Sequence, residues 1–374
     1  MTDRPYGSEY LRWAKTRAPA RFDLTSSGVP YLPLRELPVT LDDLELSGTG
    51  AYGYAPLQQA IAARYRVEEA CVVAAMGTSM ANLLALAAVV EPGDEVLIEH
   101  PAYEPLIAAA RYLGAKVRTF PRRAEDGFRL DPAQVERAIT PRTRAVVLSN
   151  LHNPSSALAD DDALRAVGEI AARAGARVIV DEVYLDALWE PAPRTCVHLG
   201  PAFISTNSLT KVYGLNGLRC GWILAEPALA ERMWRLTELF NNIGVHAAER
   251  LSLIAFQNLD ALAHRSRTLL DANAATLNDF YATQADSLDV QPHAHGTVSF
   301  PRLRTGDADA LCDLLVSRYE TAVVPGRFFG EPGHVRIGLG IDPATFAEGL
   351  DRLGRALHGR GTARENSVDP VDSV

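Results

Sequence analysis

The stretch "SLTKVYGLNGLRCGW", residues 208–222, carries two cations, Lys211 and Arg219, into a run of glycines and large apolar side chains, just after the apolar segment "AFIST" (202–206). Taking an unpaired ion out of water costs on the order of several kcal/mol, so charges placed there need a counter-ion or a covalent partner. The apolar segment reads as a buried strand, and the question is what gathers at its carboxyl end.

From about residue 70, short β-branched runs alternate with helix-patterned segments. "ACVVAAM" (70–76), "DEVLIEH" (94–100), "AKVRTF" (115–120), "RAVVLSN" (144–150), "ARVIVDE" (176–182), "AFISTNS" (202–208) and "GWILAEP" (221–227) read as strands. "SMANLLALAAVV", "YEPLIAAARYLG" and "DDALRAVGEIAARAG" read as helices, the last opening on acidic residues and closing on glycine. The alternation predicts an α/β architecture with a buried, mostly parallel central sheet flanked by helices. Beyond residue 228 the pattern changes. Nearly continuous helix periodicity covers 228–242 and 246–284, and then short strands ("TVSFPRL", "TAVVPG", "HVRIGLG") alternate with two more helices, predicting a smaller α+β domain.

With 374 residues and 47% of them apolar, the chain is long enough for two cores. A net charge of −9 argues against nucleic-acid or anionic-membrane partners. Four widely spaced cysteines without a C-x-x-C pair fit reduced thiols better than a disulfide framework. The amino terminus has no apolar core of a signal peptide, and "MANLLALAAVV" is too short to span a bilayer. A cytoplasmic location is the expectation.

Ligands of open α/β sheets bind beyond the carboxyl ends of the strands, so the residues just after each apolar run are the candidates. They are Gly77, Thr78 and Ser79 after "CVVAAM", Asn150, Asn153 and Pro154 after "AVVLS", Asp181, Glu182 and Tyr184 after "RVIV", and Asn207, Ser208 and Lys211 after "FIST". Each alone has an ordinary reading: a helix cap, a turn, a surface lysine. As a set they suggest a ligand with a phosphate, a ring nitrogen that can be cationic and an aldehyde. Pyridoxal 5′-phosphate has all three. A lysine amine captures the aldehyde as a Schiff base, an acidic residue keeps the ring nitrogen protonated, and Arg219 offers the phosphate a permanently charged fork.

These residues resemble the fold-type I pyridoxal-phosphate enzymes, specifically the class I/II aminotransferases. The likeness runs from "YGYAPLQQAIAARY" at 52 through "GTSMAN", "HPAY", "NLHNPSS", "DEVYLD", "SLTKVYGLNGLRCGW" and "VPGRFFG" to "HVRIGLG" at 334. It implies amino-group transfer from an L-amino acid to a 2-oxo acid by a ping-pong mechanism, with a lyase, cyclase or oxidase on the same fold as the alternative. Lys211 would be the Schiff-base lysine and proton shuttle. Asp181 would pair with the ring nitrogen, Asn153 and Tyr184 would bond the ring's phenolic oxygen, and Tyr103 would stack on the ring. Thr78, Ser208, Arg219 and the backbone around Gly77 and Ser79 would hold the phosphate, joined by Tyr52 from the second subunit of a homodimer. Arg336 would clamp the substrate carboxylate, with Gly28 and Asn153 also on the substrate side. The likeness further implies an amino-terminal arm and part of the small domain at 1–45, a large cofactor domain at 46–260, a small domain at 261–360 and a disordered tail at 361–374. The familiar N-P-T-G turn is "NPSS" here, a usual glycine is Ala55, and the arm is short.

Three other patterns compete. "GTGAYG" (48–53) matches the dinucleotide fingerprint of an NAD-dependent enzyme, but the preceding "LDDLELS" is acidic where that motif needs a buried strand. "SLTK" matches S-x-x-K without the K-T-G or S-D-N that would accompany it in a serine acylase. His293 and His295 offer two metal ligands with no third nearby in the sequence.

Overall fold

The structure, a computed structural model, describes residues 4–48, 51–190, 193–241 and 244–365. Its centre is a seven-stranded sheet ordered Val72–Met76, Cys220–Leu224, Phe203–Ser208, Arg177–Asp181, Thr143–Ser149, Glu95–His100, Lys116–Pro121. All neighbours run parallel except Cys220–Leu224, which is antiparallel to both strands beside it. The middle strands are apolar on both faces because helices cover both. Val96 and Ile98 enter the core beneath the helix Thr78–Val89, and Leu97 enters the opposite core beneath Asp161–Arg173. Asp160 caps the latter helix, its carboxylate accepting the Ala163 N–H at 2.7 Å. Ser149 pairs with Asp181, and Asp181 with Thr206. Three central strands therefore end level, and the residues that follow them emerge at one edge.

A second core unites Leu24 of the arm with Leu270, Leu277, Leu311, Val335, Ile337, Phe346 and Leu353. Over it lie the two-stranded parallel pair Phe22–Asp23 with Thr321–Ala322 and a three-stranded sheet ordered Val298–Ser299, Val335–Gly338, Val324–Pro325. The helical pattern expected to be nearly continuous over 246–284 divides at Asn258. His246–Gln257 and Leu259–Thr283 are separate helices, with Asn258 at φ −120° and ψ 17° and its amide donating to the Ile254 carbonyl at 2.8 Å. That side-chain bond competes with the backbone ladder. The last helix, Pro343–Glu365, runs into the segment expected to be a disordered tail, since an established helix extends at little cost per residue. Residues 366–374 lie outside the described ones.

The arm connects the two cores. Ser8 caps the helix Glu9–Thr16, which packs on the helix Glu104–Tyr112. Residues 24–30 then pass between the Lys211 loop and the strand Val335–Gly338: the Gly338 N–H donates to the Leu24 carbonyl at 2.8 Å, and the Val29 N–H to the Lys211 carbonyl at 2.9 Å. A Cβ at Gly338 or Gly340 would overlap the carbonyl oxygen of Ser26 or Gly28, so this crossing depends on glycine.

Glu182, one residue beyond Asp181, is 1% exposed and accepts the Cys196 N–H at 2.7 Å and the Ser205 hydroxyl. Burial pushes its pKa up to about 7 against these hydrogen bonds. Between about pH 4.5 and 7 the folded chain then binds a proton that the unfolded chain has lost. The associated stability is full below about 4.5 and lost as the pH rises through 7, a change of roughly 2–4 kcal/mol. Urea denaturation at pH 5 and pH 7.5 should show Glu182→Gln lacking this loss, whereas equal pH slopes would mean that the carboxyl ionises normally.

Candidate active site

Asp181 ends a central strand with 6% of its surface exposed. Its carboxylate accepts the Asn82 amide at 2.8 Å and the Val183 N–H at 3.1 Å, and the Asn82 oxygen accepts the Thr206 hydroxyl at 2.6 Å. Burial raises its pKa, opposed by those two donors and by the charge of Lys211. Among the described residues no lysine or arginine forms an ion pair with it. A buried carboxylate thus faces the cleft without a cation.

Lys211 is half-buried at the turn after Phe203–Ser208, and its Nζ donates to Ser27 Oγ at 3.0 Å. Burial brings the amine down to about 8; the charges of Arg336 and Arg219 push the same way, and Asp181 opposes them. A substantial neutral fraction near physiological pH follows, which an ordinary lysine lacks. Tyr184 is buried, and burial raises its phenol, while Arg336 and a hydrogen bond with Ser27 favour the ionised form. Tyr103 meets Tyr10 edge to face at 5.8 Å, and its phenol too is raised by burial.

At the other end of the cleft the helix Thr78–Val89 starts from Gly77 at φ +78°. The Thr78 hydroxyl donates to Ser208 Oγ at 2.8 Å, and Ser79 follows in the first turn. Arg219 is exposed in this chain. Its Nη2 donates to the Met76 carbonyl at 3.2 Å, and a Cβ at Gly77 would overlap that nitrogen. Gly221 is needed for the same approach, since a Cβ there would lie 2.6 Å from the Gly77 carbonyl carbon. A helix N-terminus, two hydroxyls and a guanidinium converge, which is the donor set of an anion site.

Arg336 is wholly buried. Nη1 donates to Asn153 Oδ1 at 3.1 Å, and Nη2 to the Tyr10 hydroxyl at 2.8 Å and the Thr25 carbonyl at 3.1 Å, while Nε has no partner. The rings of Tyr10 and Phe329 flank the guanidinium, 5.4 and 5.0 Å from centroid to Cζ. No carboxylate pairs with it among the described residues. Asn153 is steadied from behind. Its N–H donates to Ser149 Oγ at 2.9 Å, and that hydroxyl and the Ser149 N–H donate to Glu99, which pairs with Arg122 at 2.8 Å with both side chains wholly buried.

Gly28 lies against this group; a Cβ there would be 3.1 Å from the Lys211 carbonyl oxygen and 3.3 Å from its Cδ. Tyr52 stands apart, 43% exposed, its ring tilted against Trp234 at 5.5 Å with its hydroxyl on Glu238. Three contributors escaped sequence reading. Asn82 had a signal, since it stands one helical turn after Thr78 on the same face of "GTSMAN". Thr206 and Tyr10 had none. Arg327 turns away, pairing with Asp309 and lying over Phe328 at 4.5 Å. No strand precedes Gly48, and Thr49 and Gly50 of the dinucleotide-like pattern lie outside the described residues. The His293 backbone is held by Asn278, its N–H donating to Oδ1 at 2.8 Å and its carbonyl accepting the amide at 2.9 Å, and among the described residues no group of three metal-ligating side chains includes it or His295.

Residues 36–353 match the family model of aminotransferase class I and II. The chain is similar to capreomycidine synthase of Streptomyces vinaceus, 31% identical over 359 residues and 92% of either protein, and to arginine–pyruvate transaminase of Pseudomonas aeruginosa, 29% identical over 321 residues and 80% of either. Among solved structures, a PLP-dependent aminotransferase from Streptococcus suis shares the fold at a TM-score of 0.88, with 24% identity over 96% of this chain and 98% of that one. The PLP-dependent cyclase OrfR superposes at 0.85, with 27% identity over 96% and 100%.

The depressed amine gives a direct check. Acetylation of Lys211 in the full chain without bound aldehyde, read by peptide mass spectrometry, should have its pH midpoint near 8. Arg336→Gln should raise that midpoint by removing a nearby positive charge. A midpoint near that of exposed lysines, about 10.4, would contradict the electrostatics described above.

Proposed function

The chain belongs to the class I and II aminotransferases, and we propose that its cleft binds pyridoxal 5′-phosphate at Lys211 and moves the amino group of an L-amino acid to a 2-oxo acid in two half-reactions. As a member of that family it is a pyridoxal-phosphate-dependent enzyme, a transferase of nitrogenous groups. The observation that carries the assignment of its residues is the pair of buried, unmatched charges: among the described residues Asp181 has no ion-pair cation and Arg336 no anion, and the Lys211 amine feels the charge of both. A protonated ring nitrogen matches the first and a substrate carboxylate the second.

When bound, the cofactor supplies a conjugated ring that accepts the electron pair released at the substrate Cα. The chain does the rest. Lys211 holds the cofactor and, once displaced by substrate, takes the Cα proton, a task suited to an amine near pKa 8. Asp181, oriented by Asn82, would keep the ring nitrogen protonated; Asn153 and Tyr184 would bond the ring oxygen, and Tyr103 would stack on the ring. Gly77, Thr78, Ser79, Ser208 and Arg219 hold the phosphate, and Arg336 orients the carboxylate through its two-pronged geometry.

A second reading has its own support, because one relative is a synthase and one solved neighbour a cyclase. The same first proton removal can lead to elimination, cyclisation or oxidation. Oxo-acid release without an equivalent of newly aminated acceptor would favour elimination or oxidation. We further infer a homodimer. Leu41, Leu46, Leu239 and Val245 are more than half exposed, and Arg250 ties the 41–48 segment to the helix after Val245 by donating to the Asp43 carbonyl at 3.2 Å. Tyr52, in the same region, would then reach the partner's phosphate group. A cytoplasmic location is supported by four cysteines that form no disulfide among the described residues.

Purified protein should show an absorbance band of lysine-bound cofactor that Lys211→Ala lacks, together with turnover of amino donors on added oxo acids. An unchanged band in that variant would sink the assignment. Arg336→Ala should lower kcat/KM for amino acids about 30- to 1,000-fold, with partial recovery in Arg336→Lys, and equal loss on amines lacking a carboxylate would refute its role. In sedimentation the active species should be a dimer, and a fully active monomer would overturn the shared site.

A further inference from the structure

Ser27 sits on the arm where the backbone is held from both sides. The Thr297 hydroxyl donates to its carbonyl at 2.8 Å, and two residues on, the Val29 N–H donates to the Lys211 carbonyl at 2.9 Å. Two residues before, the Thr25 carbonyl accepts Arg336 Nη2 at 3.1 Å. Between these anchors Gly28 passes so close to Lys211 that its missing Cβ would lie within ordinary contact distance of the lysine's backbone and Cδ. The arm can neither slide nor lift locally without breaking several of these bonds.

The Ser27 side chain, 8% exposed, accepts from Lys211 Nζ at 3.0 Å, and its hydroxyl favours the ionised form of the nearby Tyr184 phenol. A serine oxygen has two acceptor positions, so taking an N–H from the lysine leaves its own proton free to point elsewhere.

We propose that Ser27 is a positioning residue for Lys211, its oxygen taking one N–H of the amine, so that the amine's lone pair stays turned from the arm into the cleft. This rests on the reading of Lys211 as the reacting amine. A neutral amine carries two N–H groups and one lone pair and turns freely about Cε–Nζ. Engaging one N–H removes most of that freedom, and the lone pair is what must meet an electrophile or a proton. The link also makes docking of the arm depend on the lysine.

The groups that act on the amine are Arg336 from the small domain, Asp181 from the central strand, Arg219 from the anion site and, through Ser27, Tyr184. Ammonium is a stronger donor than amine, so an acceptor at Ser27 favours the charged form. Deleting it should therefore lower the pKa of Lys211 while leaving the amine less well aimed. A merely structural serine would do neither.

Acetylation of the full chain without bound aldehyde, followed by peptide mass spectrometry, separates these cases. Ser27→Ala should move the Lys211 midpoint down by about half a unit, and Ser27→Thr, which keeps the hydroxyl, should leave it in place. In the loaded enzyme Ser27→Ala should slow the amino-acid half-reaction about tenfold with KM nearly unchanged. A midpoint that is the same in wild type, Ser27→Ala and Ser27→Thr overturns the proposal. Should Ser27→Ala prove unfolded by circular dichroism, Ser27→Cys, a poor acceptor of similar shape, must show the same downward shift, and its failure to do so counts equally against the proposal. Retention of lysine-bound cofactor by Lys211→Ala would instead sink the functional reading and leave the labelling result standing.

Discussion

Two buried charges without counter-ions organise this protein. Asp181 ends a central strand with only an amide and a backbone N–H for company, and Arg336 is enclosed by an amide, a phenol, a carbonyl and two aromatic rings. An isolated buried ion normally destabilises a fold by several kcal/mol, on the order of what a single domain has in reserve. Such a pair persists where the surroundings are over-determined and where a ligand supplies the missing charge. Here the missing partners are a cation for one and an anion for the other, and an amine that is partly neutral near physiological pH lies within reach of both fields.

The scaffold is built to keep these groups still. Level strand ends place Asp181 beside Ser149 and Thr206 by backbone pairing alone. Behind Asn153 stands the ion pair of Glu99 and Arg122, wholly buried and joined to Ser149, so a second pair of charges is removed from water to hold one turn. Unlike Asp181 and Arg336 it is internally matched, which marks it as support and them as sites. The arm closes the arrangement from the other side, where Gly338 and Gly340 permit a backbone contact with it that any side chain would block.

Relatives with this fold carry names as different as transaminase, synthase and cyclase. Around Arg336 the fold gathers the arm, Tyr10 and the ring of Phe329, with Phe328 packed on Tyr10.

Much of this was legible in the chain itself. Apolar runs of strand length alternating with amphipathic segments determined the parallel sheet, because only strands buried on both faces lose their polar alternation, and the residues after those runs had to share an edge. Lys211, Asp181, Asn153, Thr78 and Arg219 were accessible for that reason: each follows an apolar run or sits in a glycine-rich turn, so local pattern and topology together locate it. What the sequence could not determine were contacts between segments far apart in the chain. Tyr10 meets Arg336 across 326 positions, Ser27 meets Lys211 across 184, and Asn82 meets Asp181 across 99. No periodicity encodes such meetings. They were decided by how the arm threads between two cores and by the facing of one helix, and the division of the long helix at Asn258 came from a side chain competing with the backbone. Local preference writes elements into a sequence, whereas the pairing of distant polar groups exists only once the apolar cores have packed and left those groups nowhere else to bond.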